Sequence, residues 1–547
     1  MSHAVPRLLR CCLCALLPLS WMNSVQAEAF DKGVDFATQS IQLSLSEEPR
    51  NLNSIKATDQ ISIFFLEHIM EGLLRRDARG RIIGGVAERW DINDSNARFW
   101  LRKNAQWSDG KPVTAKDFVF AWRSVVDPAN AAEYASMMYV VKNGEAINAG
   151  KLPLTALGVK AIDDYTLEVE LEKPTGYFAQ LMTFMIFYPV REDFYKAQNG
   201  RYFSDVQNMI FNGPFKMTEW VHAASFRMEK NETYWNKANV QLNTINIPYV
   251  TKDGMARFNL YKDGKVALED GLHGIGKEQV TEAMKNRMRI HTVSDGSVWY
   301  IEMNHKADRL TRNANLRKAL QAVVDPQEIV YKVRGTPGYI PGYSLIPVFL
   351  QGVKKKFRDE YKIRKAPLDP QLARQYLEQA RKELGLEKFP PITLLIDDKE
   401  SAINEAQYYQ SLFKRHLGLE LRIDVQTFKQ RLEKMQYGEF DMILSGWGPD
   451  YNDPMTFADL FASWNDNNHG KYNNPDYDAL IRIAQSTSDQ QVRMDAFGKA
   501  QQLLVDDAAL ILEYERVLSV VQNPKLQGVV FQQTGAQFVL TYARVVQ

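Results

Sequence analysis

Cysteine is nearly absent: the 547-residue chain has three, and Cys11, Cys12 and Cys14 all lie in the first 27 positions. If those positions are removed on export, the remainder has no disulfide, no thiolate metal site and no cysteine nucleophile. Long apolar runs are missing beyond that point, so no later segment reaches the roughly 20 residues that a membrane-spanning helix needs. The eight histidines are scattered, and none forms the helical pair of a zinc enzyme. No Gly-x-Ser-x-Gly elbow occurs, which removes the most recognisable hydrolase signature. An excess of one charge is missing too, with 67 Lys and Arg against 66 Asp and Glu. Losing Arg7 and Arg10 with the first 27 residues leaves 65 against 66. So even a balance argues against nucleic acid or an anionic membrane as the main partner.

Two near-motifs fail on chemistry. Gly271 to Lys277 has P-loop spacing, but Glu278 stands where a Ser or Thr would hold magnesium, and its carboxylate repels phosphate. Asp466 to Gly470 resembles the start of a calcium loop, yet the twelfth position is Tyr477 rather than a bidentate Glu. The pairs Asp163-Asp164 and Asp397-Asp398 have no identifiable partner and read as turn or strand-end residues. No metal, nucleotide or other cofactor is expected, and no catalytic residue.

What is present is globular, with 45% hydrophobic and 24% charged residues and a length suited to two or more folding units. Arg7 and Arg10, an apolar stretch over 11–21, and Val25-Gln26-Ala27 have the form of a cleaved export signal over residues 1–27. Glu28 rather than Cys follows the cut, so a lipid anchor is not expected. A soluble periplasmic protein of a Gram-negative cell fits these features.

Residues 371–446 alternate helix and strand. Apolar spacing and glycine stops predict helices over 371–384, 404–417 and 429–437 and strands over 392–396, 419–425 and 440–445. Strands joined through helices run parallel, and ligands bind beyond the carboxyl ends of such strands. The stretch LSGWGPDYNDPMTF, 444–457, lies at such an end, although an ordinary solvated turn uses the same residues. The N-terminal half has short strands over 41–45, 99–102, 166–170 and 225–229 and reads as mixed and partly antiparallel. The charged run 354–365 reads as a solvated helix or connector.

Residues 87–128, AERWDINDSNARFWLRKNAQWSDGKPVTAKDFVFAWRSVVDP, resemble the extracytoplasmic solute-binding proteins of the oligopeptide and dipeptide family. GLLRRDARGRIIGGVAERW before it, LGVKAIDDYTLEVELEKPTGYF and NGPFKMTEW after it, and GWGPDYNDPMTF carry the likeness along most of the chain. The resemblance implies an α/β two-lobed binding-protein fold of the large, three-subdomain type. One lobe would comprise 28–70, 192–296 and 513–547 with an extra subdomain over 71–191, and the other 297–512. Trp107, Ser108, Asp109 and Gly110 would fix a turn rather than touch ligand.

In peptide-binding members the aspartate of the Asp-Tyr-Asn loop pairs with the ligand's α-ammonium, which carries over to Asp450. Gly446, Gly448 and Pro449 would shape the backbone there, and Tyr134, Tyr300, Phe428, Trp447 and Tyr514 would line side-chain pockets. Some enteric relatives have arginines where Met435 and Leu444 stand and a histidine near Ala402; this chain has none of the three, so the family's rule for where a ligand ends does not transfer. The resemblance implies a monomeric periplasmic component of an ABC importer for peptides, with permease and ATPase partners and no catalysis. Relatives on the same fold carry dipeptides, nickel complexes, haem, sugars or antimicrobial peptides, and an exported enzyme, a sensor and a chaperone are the readings from other classes.

Overall fold

A computed structural model describes residues 32–269 and 275–547. The expected export signal with its three cysteines, and residues 271–274 of the P-loop-like segment, lie outside the described residues. Three main sheets organise the rest. The first has the order Val34–Asp35, Ser40–Leu45, Thr244–Val250, Ser225–Lys230, Phe215–Val221, with only the Ser40–Leu45 and Thr244–Val250 pair parallel. The second is antiparallel, Ala87–Ile92, Asn96–Leu101, Thr166–Glu170, Val159–Asp163. Trp107 beside it is fully buried and its indole N–H donates to Asp117 (3.2 Å), while Gly110 at φ +86° closes the Asp109-Gly110 turn. That is the turn-fixing role expected of this block.

The third sheet runs Leu268–Glu269, Leu510–Gln522, Ile290–Met303, Met442–Trp447, Ile392–Asp397, Leu421–Gln426, with Ile340–Pro341 added on Leu510–Gln522. Its last three strands are parallel, as the helix-strand alternation predicts. Pro370–Glu383 starts on the Asp369 side chain and is followed by Gly385 at φ +66°; Phe428–Tyr437 opens with a Thr427/Gln430 capping box and ends at Gly438. Glu400–Leu417 begins four residues earlier than its apolar spacing suggests, because Lys399 at its N-cap makes no side-chain cap and leaves no start signal.

Ile290–Met303 and Leu510–Gln522 are the long strands of the molecule, and the expected boundaries at 296/297 and 512/513 fall inside them. Their ladder is interrupted between Ser294 and Val298. Gly296 occupies the interruption at φ +71°, and a Cβ there would meet Phe349 at 2.5 Å, Pro449 at 2.9 Å and the Gln533 carbonyl at 3.2 Å. Next to it Arg516 Nε donates to buried Asp295 (2.8 Å). Through this strand pair the chain passes into the 304–509 half and returns.

The charged run 354–365 is largely exposed, as expected of a solvated connector, and a few of its residues pin it to the fold. Phe357 is fully buried, Arg358 pairs with buried Glu515 at 3.0 Å, and Glu360 accepts the backbone N–H groups of Val353, Lys354 and Lys355. Asn468, within the calcium-like run, is buried and its amide donates to the Tyr472 carbonyl (2.7 Å), so that segment is a turn held by its own side chain.

Candidate ligand-binding site

Met442–Trp447 pairs parallel with Ile392–Asp397 and antiparallel with Ile290–Met303, in the register Ser445 to Tyr300, Gly446 to Trp299 and Trp447 to Val298. Side chains alternate between the two faces of a sheet. Gly446 is required by its partner: a Cβ there would lie 2.7 Å from the Trp299 indole. Gly446→Ala is therefore expected to destabilise the fold by about 1–3 kcal/mol through overpacking and to change tryptophan fluorescence; urea unfolding followed by that signal checks both.

Beyond Gly448 and Pro449 the loop folds back on itself. The Asp450 backbone N–H donates to Thr456 Oγ1 (3.1 Å), and the Asp453 N–H donates to the Tyr451 carbonyl (2.9 Å). Asp453 is gripped by Arg493, whose Nη1 and Nη2 donate to its two oxygens at 2.9 and 2.7 Å. Such a fork-to-fork pair fixes orientation as well as charge. Arg493 is 1% exposed and comes from the helix Gln490–Asp506, forty residues away. Of Asp450, Tyr451, Asn452 and Asp453, only Asn452 is exposed, so this is no solvated turn.

Asp450 is 7% exposed. Its Oδ1 accepts the Tyr134 hydroxyl at 3.1 Å, across 316 residues and from the other half of the molecule. Burial pushes its carboxyl up to about 8, the charge on Asp459 adds to the rise, and the Tyr134 bond opposes it. A second bridge lies alongside, where Tyr177 stacks on Tyr451 with centroids 5.3 Å apart and planes 8° from parallel. The Arg493 guanidinium sits 5.1 Å from the Tyr177 ring. Between these contacts a cavity of about 520 Å³ opens, lined by Tyr134, Tyr177, Trp447, Asp450, Tyr451 and Asp459 among others. This falls in the size range of small-ligand sites. The Trp447 indole N–H is buried and has no hydrogen-bond partner among the described residues.

Of the residues singled out in the sequence, Tyr134, Trp447 and Asp450 meet in this cavity, whereas Gly446 and Gly448 do not line it: Gly446 makes room for Trp299 and Gly448 lies near Ser297. Tyr300, Phe428 and Tyr514 do not line it. Tyr300 is 3% exposed and lies edge-on to Phe461 (5.7 Å). Tyr514 packs on the opposite face, between Trp299 (6.0 Å) and Tyr339 (5.1 Å). Phe428 is half-buried at the first turn of its helix, 5.7 Å from the Lys399 ammonium. Leu444, where some relatives have arginine, is buried in the core, and its carbonyl accepts from Arg431. Sequence reasoning did not flag Tyr177, Asp459 or Arg493. The local signal is Asp459 itself, a lone acid in the mostly apolar stretch Met455 to Phe461.

Residues 81–469 match the model of the bacterial extracellular solute-binding proteins, family 5 (middle part). The chain belongs to this family. As a solute-binding protein it is 30% identical over 502 residues to the oligopeptide-binding protein OppA of Bacillus subtilis, covering 90% of this chain and 91% of that one. Among solved structures, Listeria monocytogenes OppA bound to peptide superposes with a TM-score of 0.84 at 32% identity, over 93% of this chain and 99% of that chain. The Escherichia coli murein tripeptide-binding protein MppA gives 0.83 at 26% identity over 93% of this chain and 99% of that one. Its unliganded open form gives only 0.69 at the same identity, with 94% and 99% covered. The two halves therefore stand closer to the arrangement of the peptide-bound relative than to the open one, in keeping with the Tyr134–Asp450 bond that joins them.

Proposed function

We propose that this solute-binding protein is the periplasmic substrate-binding component of an ABC importer for oligopeptides. It is exported by the signal over residues 1–27, works as a monomer without turning its ligand over, and delivers peptide to an inner-membrane permease served by ATPase subunits. The observation that carries the reading is Asp450: a carboxyl removed from water, with no ion pair among the described residues, in a cavity between two halves. A charge so placed favours a cation at one fixed point, and a peptide has one such cation on its main chain, the α-ammonium. The names and bound ligands of relatives support the same choice of solute. The ligand backbone adds as a strand, which lets one site accept many sequences. Halves that close around the ligand complete the site.

The test is Nα-acetylation. A free-amine peptide and its acetylated twin, compared by calorimetry, are expected to differ by about 30-fold or more in Kd, the lower end of the cost of leaving a buried charge unpaired. Equal affinity would remove Asp450 from the reading.

A further inference from the structure

Three aspartates crowd the site and one arginine answers them. Asp453 takes Arg493 with both oxygens. Asp450 and Asp459 have no ion pair among the described residues, and both line the cavity. The charged group that acts on Asp450 is Asp459, and the one that acts on Asp459 is Asp453. Asp459 opens the short helix Asp459–Phe461, and its carboxylate bonds to no other residue's side chain or backbone among the described hydrogen bonds. Packing alone gives no reason for it. Removal from water is the main cause that raises both carboxyls, Asp459 to about 7 and Asp450 to about 8, and a neighbouring aspartate adds to each, Asp453 to the first and Asp459 to the second. Farther out, exposed Lys151 and Lys173 are balanced by exposed Glu145 and Glu172. The cavity thus carries an excess of two acids at its inner wall and none at its mouth.

We propose that the cavity is a two-cation subsite: a peptide whose first residue is lysine, ornithine or arginine places its α-ammonium on Asp450 and its side-chain cation on Asp459. This rests on the assignment of Asp450 to the α-ammonium. The rings of Tyr134, Tyr177, Trp447 and Tyr451 supply apolar walls for the methylene stem, which packs along such surfaces while its charged end reaches a partner. Their faces also attract the cation. A neutral first side chain leaves Asp459 without a partner and gains nothing from it. The site therefore selects by the charge of the first residue as well as by the free amine.

The test uses the mature protein and peptides of several lengths, each made with lysine first, with norleucine first, and with Nα-acetyl-lysine first, titrated by calorimetry. Wild type is expected to bind the lysine-first member at least about tenfold more tightly than the norleucine-first one. In Asp459→Asn that ratio is expected to fall to near one, while Asp450→Asn weakens both members. Equal affinity of the lysine and norleucine members in wild type, or a preference that survives Asp459→Asn, overturns the proposal. Undiminished binding of the Nα-acetyl member instead overturns the α-ammonium reading, and binding of no peptide at any length overturns both.

Discussion

Asp450→Asn is expected to weaken binding of a free-amine peptide by about 30-fold or more and, in the ligand-free protein, to raise the melting temperature. Both effects come from the same carboxyl. In the folded chain it titrates at about 8, against 3.8 for an ordinary aspartate. A group whose folded value is raised contributes stability that is fully present below its unfolded value and is lost as pH rises toward and through the folded one. Asparagine cannot ionise and escapes that loss. The gap in melting temperature between variant and wild type should be absent near pH 4, grow through the neutral range and level off above about pH 8; calorimetry across that range reads it.

The same carboxyl gives binding a pH signature. Below pH 8 the empty protein holds Asp450 mostly protonated, and pairing with an ammonium requires that proton to leave. Affinity should therefore rise with pH, by up to about tenfold per unit, until the carboxyl is ionised without help. Above that point the peptide's own α-amine, with a pKa of about 7.7–8.0, loses its charge and affinity falls. The optimum lies near 8, with close to one proton released per peptide bound at pH 6. Titrations in two buffers of different ionisation enthalpy measure that release. A flat profile would mean that Asp450 is already ionised in the empty site.

Arg493→Met is expected to be the most damaging single change to stability at the site, at about 3–5 kcal/mol. The guanidinium is buried, donates to both oxygens of Asp453 and to the Ala484 carbonyl (3.1 Å), and lies against Tyr177 and Phe497. Removing it strands the Asp453 carboxylate in a place with little water, beside Asp459. The loop that presents Asp450 is anchored at that point, so ligand affinity should fall together with stability. Replacing both partners, Arg493→Met with Asp453→Leu, removes the stranded charge and should recover much of the stability, because a buried ion pair contributes little over well-packed apolar groups. Chemical denaturation of the two single variants and the double variant closes the cycle.

The second half of the molecule was legible where local chemistry decides structure. Gly385, Gly418 and Gly438 sit at positive φ after their helices, as the sequence spacing predicts, and the strands they separate are parallel. The strand expected over 440–445 instead runs Met442–Trp447, because its partner continues to Val298 and Gly446 makes room for Trp299. Trp447 is thus a strand residue and the loop begins at Gly448. Asp450 and Trp447 share one short stretch and could be read together. Tyr134, 316 residues away, was reached only through family likeness, since no periodicity links the two. Tyr177 belongs to KPTGYF, a segment that carries the family likeness but no sign of a site, and Arg493 to a helix whose arginine looks solvated from its neighbours. The role of Tyr177 depends on the approach of two halves and that of Arg493 on a contact forty residues away in sequence, and no local pattern encodes either.

The interrupted ladder around Gly296 bears on how such a molecule can gape. The space that a side chain would need at this pivot is filled by a ring from one jaw, by the proline that precedes the anchoring acid, and by a carbonyl from the other jaw. A change of backbone torsion at this glycine would therefore press on the proline that leads into the anchor loop, so that opening and the grip on a ligand would be felt at one place.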